Sequence, residues 1–67
     1  MKNMAKVKIY RVKVYNVMTD QPVISRRMAT REGAARMKGE ILEDTGIAID
    51  ESRLEPGEQW TTVDFKP

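Results

Sequence analysis

The sequence predicts a small two-layer α+β domain, ββαβ-like. A β-hairpin plus a short third strand forms an antiparallel sheet in the order 2-1-3, and one α-helix packs on one face. Three observations predict it. A Val-, Ile- and Tyr-rich run, KVKIYRVKVYNVM, leads through a turn into a second apolar run, VISRRMA. One stretch with helical spacing follows, and a last segment of strand-forming residues, WTTVDF, comes after Pro56-Gly57. A right-handed crossover from the second strand makes a third strand antiparallel to the first if it lies beside it.

Sixty-seven residues make a single small domain over 1–67. The expected parts are a flexible N-terminus at 1–5, a hairpin at 6–29, a helix at 31–45, and turns with a short strand at 46–67. A chain of this size buries only about 60% of its unfolded surface, so association with a partner or a second copy is an expected supplement. At 40% hydrophobic and 33% charged residues, the chain is too apolar to stay disordered.

In the first run Tyr10, Val12 and Val14 alternate with Arg11, Lys13 and Tyr15, the pattern of a half-buried strand. Val7 and Ile9 are out of phase, which implies either a bulge near Ile9–Tyr10 or cover on both faces. Thr19 to Pro22 is turn chemistry. Sorting side chains by face places Val12 opposite Met28 and Asn16 opposite Ile24, across a three-residue loop. The other face then pairs Lys13 with Arg27, Tyr15 with Ser25 and Val17 with Val23.

Thr30 suits a helix N-cap, Glu32 the first turn, and Gly46 a left-handed C′ position with Ile47 folding back on Leu42. Ala34, Met37, Ile41 and Thr45 fall on one stripe. Glu32–Arg36 and Arg36–Glu40 are spaced as i,i+4 ion pairs. Gly33 and Gly39 each cost a helix roughly 1 kcal/mol relative to alanine, unless close backbone packing requires them. Beyond the helix, either Ile47–Ile49 or Trp60–Phe65 can supply the third strand.

Composition excludes much chemistry. Cysteine and histidine are both absent, which removes disulfides, thiolate zinc sites, catalytic thiols and His-based triads. The acids Glu40, Glu43, Asp44, Asp50 and Glu51 lack the alternating spacing and glycine turn of a calcium loop. Asp44-Thr45-Gly46 matches the aspartic-protease triplet, but it reads as the end of a helix. No catalytic set, cofactor motif, metal site or small-molecule substrate emerges. Without a signal-like apolar run or a membrane-length segment, the expected compartment is bacterial cytoplasm with no membrane contact.

Charge is divided unevenly. Residues 1–31 carry eight bases and one acid, net +7, whereas residues 32–67 carry four bases and nine acids, net −5. This split points to an anionic partner or to mutual attraction of the two halves. Candidate anion or nucleic-acid contacts are Arg11, Lys13, Tyr15, Arg26, Arg27 and Arg31, since cations interleaved with an aromatic can grip phosphates and stack a base. Trp60 and Lys38 are the candidate interface residues, although Trp60 equally suits a core, and the stem of Lys38 equally suits covering apolar surface. The expected function is a non-enzymatic interaction module that binds a protein or itself. The alternative is a nucleic-acid-binding hairpin domain.

Overall fold

The computed structural model describes residues 5–66. It contains β1 (Lys6–Asn16), β2 (Gln21–Ala29), α1 (Arg31–Arg36), β3 (Glu40–Ile41) and β4 (Ile47–Asp50), with short 3-10 turns at Glu43–Thr45 and Glu51–Arg53. The sheet is antiparallel in the order β2-β1-β3, with β4 also beside β1. The predicted α+β class and the 2-1-3 order hold. Of the expected flexible N-terminus, residues 1–4 lie outside the described residues. Ala5 is tied down, its carbonyl accepting a hydrogen bond from the Glu51 amide at 2.9 Å.

β1 organises the domain because both of its faces are covered. Val7 and Ile9 pack with Met28, Ile47, Ile49, Leu54 and Phe65. Val12 and Val14 point the opposite way and pack with Ala29, Ala34, Met37, Ile41 and Trp60. The phase break at Ile9–Tyr10 therefore comes from burial on both sides, not from a bulge in β1. The bulge lies in β2, where Ser25, Arg26 and Arg27 together oppose Val12.

That bulge corrects the expected hairpin register. Met28 pairs with Arg11 instead of Val12, and Ile24 with Lys13 instead of Asn16. The loop has four residues, Val17 to Asp20, and Pro22 sits within β2 opposite Tyr15. Proline is tolerated there because β2 is an edge strand at this level, so its missing donor can face outward. Asp20 takes a left-handed φ of 58° to close the turn.

The helix is also corrected, ending at Arg36 rather than residue 45. Thr30 caps it as expected, its hydroxyl accepting from the Gly33 amide at 3.1 Å. It stops in a Schellman arrangement: the Gly39 amide donates to the Ala34 carbonyl and the Lys38 amide to the Ala35 carbonyl. Lys38 holds the left-handed position at φ 59°, whereas Gly46 is extended at φ −64°. A six-residue helix gains little by itself. The unpaired edge of β1 then captures the following residues, matching Ile41 to Val12 and Glu40 to Lys13. This ends the expected stripe at Met37 and removes the Arg36–Glu40 pair. Among the described residues, neither Glu32 nor Arg36 forms an ion pair.

β3 and β4 act as one interrupted edge strand. The turn at Glu43–Thr45 inserts three extra residues between them. β1 loses no hydrogen bonds there: the Thr45 hydroxyl accepts from the Arg11 amide at 2.8 Å, and the Leu42 amide donates to the Arg11 carbonyl at 3.0 Å. The third strand is therefore at 40–50. The expected strand at Trp60–Phe65 reduces to one bridge, Ala29 to Trp60. It lies beside β2, where the buried Thr61 hydroxyl accepts from the Met28 amide and donates to the Thr62 carbonyl.

Candidate functional site

The predicted basic face assembles only in part: Arg11, Lys13 and Tyr15 share one face of β1, but Arg27 does not join them. Arg27 and Lys13 are not cross-strand neighbours, because the bulge at Ser25–Arg27 turns Arg27 toward the C-terminal segment. There it donates to the Glu55 carboxylate at 3.1 Å and to the Thr61 carbonyl at 2.9 Å. Arg31 grips Glu43 through two hydrogen bonds of 2.9 and 2.8 Å, with its guanidinium 5.1 Å from the centre of the Tyr10 ring. The hydrogen bonds from Arg31 hold the Glu43 carboxyl below the usual glutamate range. Both ion pairs join the basic half of the chain to the acidic half. Mutual attraction of the halves thus accounts for two of the candidate cations.

Arg11, Lys13 and Arg26 remain without an ion-pair partner among the described residues. Arg11 and Lys13 are half-buried beside the core, and Arg26 is exposed on the bulge. Lys13 lies across from Glu40 on one side and Ile24 on the other, without an ion pair to Glu40. Tyr15 is exposed one step nearer the hairpin tip, across from Pro22.

Trp60 is half-buried against Val12, Ala29 and Ala34, where it serves the core. Lys38 is exposed at the helix end, and its ammonium stacks on no ring. Asp44 is exposed on the 3-10 turn at Glu43–Thr45, while Thr45 and Gly46 are half-buried. Among the described residues no group of three acids could hold a metal ion. An open cleft of about 380 Å³ is lined in part by Glu51, Glu55 and Glu58, and Glu55 is already committed to Arg27. No helix is long and apolar enough to cross a membrane.

The feature that residue-by-residue reading of the sequence missed is the hairpin arm. β3 stops pairing with β1 at Lys13, and the C-terminal segment meets β2 only near Met28 and Ala29. Tyr15 to Ile24 therefore form a two-stranded ribbon with no third strand. The arm is apolar where a solvated ribbon would be charged. Tyr15 is 57% exposed, Val17 78%, Met18 89%, Val23 39% and Ile24 49%. Residues 14–25 contain a single charge, Asp20. The signal was present in the run VYNVM and in the charge-free VIS. A register that paired Lys13 with Arg27 assigned those residues to a basic surface.

Comparison of the chain with protein-family models, with curated proteins and with solved structures finds no match.

Proposed function

We propose that this chain is a non-enzymatic, cytoplasmic interaction module that contacts a protein through its hairpin arm. One observation carries the reading: five large apolar side chains are exposed along the two faces and the tip of a ribbon that has no cation beyond Lys13. A concentration of exposed apolar side chains on a small chain marks an interaction site. An isolated two-stranded ribbon is only marginally stable in water, so it benefits from cover.

Charge distribution favours a protein over a nucleic acid. Phosphate binding needs cations along the contacting ribbon, whereas residues 14–25 carry only Asp20. Arg27 and Arg31 are held by carboxylates. Arg11, Lys13 and Arg26 sit at the base of the arm and can flank an apolar contact.

Site-directed photo-crosslinking tests the reading. A photoreactive residue at Met18 is expected to give discrete protein adducts in cells, and the same residue at Glu32, exposed on the helix, is expected to give none. Equal labelling at both positions, or none at Met18, would contradict it.

A further inference from the structure

We infer that the protein seated on the arm is a second copy of this chain, its arm laid antiparallel against the first. This inference rests on the reading of the arm as a contact surface and adds the identity of the occupant.

The argument comes from where the two charges of the arm lie. Lys13 is at its base, and Asp20 is in the turn at its tip. Between them, on the Lys13 face, Tyr15 is directly across from Pro22, and Ile24 is directly across from Lys13. Lys13 is two residues from the Tyr15–Pro22 level toward the base. Asp20 is two levels away toward the tip, just beyond the Asn16–Gln21 pair. At about 3.3 Å per strand residue, Lys13 lies roughly 7 Å from that centre toward the base, and Asp20 lies on the other side, in the turn beyond the last strand pair.

A two-fold axis through the Tyr15–Pro22 level therefore brings Lys13 of each copy beside Asp20 of the other. Tyr15 and Pro22 are enclosed between the two charge pairs, and Ile24 flanks them at the Lys13 level. Stacking the arms in the same direction would set lysine on lysine and aspartate on aspartate. Self-complementarity about a two-fold axis is the requirement of an isologous contact. Glu40 does not compete for the Lys13 ammonium through an ion pair. Contact confined to the ribbons falls short of the roughly 800 Å² per partner of a stable dimer, so the association is weak.

Sedimentation velocity of the full chain tests this with two charge reversals and their mixture. At high micromolar concentration the wild type is expected to approach twice its 7.7 kDa mass. Lys13→Asp alone and Asp20→Lys alone are each expected to stay monomeric, because like charges then meet at both ends. An equimolar mixture of the two restores opposite charges at both ends and is expected to recover the dimer. Recovery also shows that both variants fold. A mixture that stays monomeric overturns the antiparallel pairing. A wild type of monomer mass overturns the second copy as occupant while leaving the arm to be judged by photo-crosslinking at Met18. Association that survives Ile24→Asp and both charge reversals places the contact elsewhere and overturns both readings.

Discussion

Gly39 lies so close to Val12 that a methyl group on its α-carbon would fall 2.3 Å from the Val12 Cγ1 and 2.9 Å from the Val14 Cγ1. Val12 is fully buried at the centre of β1 and has little room to yield. Gly39→Ala is expected to destabilise the fold by about 1–3 kcal/mol, the range for overpacking a filled core. Urea denaturation measures this, and an unchanged midpoint would show that β3 can move away from β1.

Next to it, Lys38 holds a left-handed conformation that an L side chain adopts at a cost of about 1–2 kcal/mol. Lys38→Gly should relieve part of that cost and raise stability by about 1 kcal/mol. The lysine is exposed, so little packing is lost. A destabilised variant would mean that its side chain contributes more than its backbone costs.

Thr61 is the buried polar residue among the described residues, and its hydroxyl both accepts and donates a hydrogen bond. Thr61→Val keeps the shape but leaves the Met28 amide without that acceptor. The expected loss is about 1–3 kcal/mol, read from thermal or urea unfolding. Stability equal to wild type would show that water or another carbonyl replaces the hydroxyl.

Two isoleucines should separate core from arm. Ile9→Ala removes a fully buried side chain and should cost about 2–5 kcal/mol. Ile24 is about half exposed, and Ile24→Ala should change the stability of the dilute monomer by less than about 0.5 kcal/mol. Equal losses at the two positions would show that the arm is folded into the core.

Acid titration should report the Arg31–Glu43 pair. The folded-state pKa of Glu43 is lowered, so its contribution is complete above the ordinary glutamate value and is lost as pH falls through the lowered folded value. Both side chains are exposed, so the effect is small. Relative to wild type, Glu43→Gln should flatten the fall of Tm as pH drops through and below the ordinary glutamate range. Parallel curves would show that the pair contributes nothing in solution.

Local chemistry alone determined much of this protein. Alternation from Tyr10 to Tyr15 marked β1, and Thr30 with Glu32 marked where the helix begins, because strand faces and N-caps depend on residues a few positions apart. The absence of cysteine and histidine excluded whole classes of chemistry on composition alone. Competition between distant segments decided the rest. The helix ends at Arg36 because β1 had an unpaired edge to offer residues 40–41, a gain that helical periodicity cannot register. The bulge at Ser25–Arg27 arises where Arg27 meets Glu55 and Thr61, more than twenty residues away in sequence. Through that bulge the tertiary structure separated Lys13 from Arg27 and left an apolar arm where the sequence pattern implied a basic face.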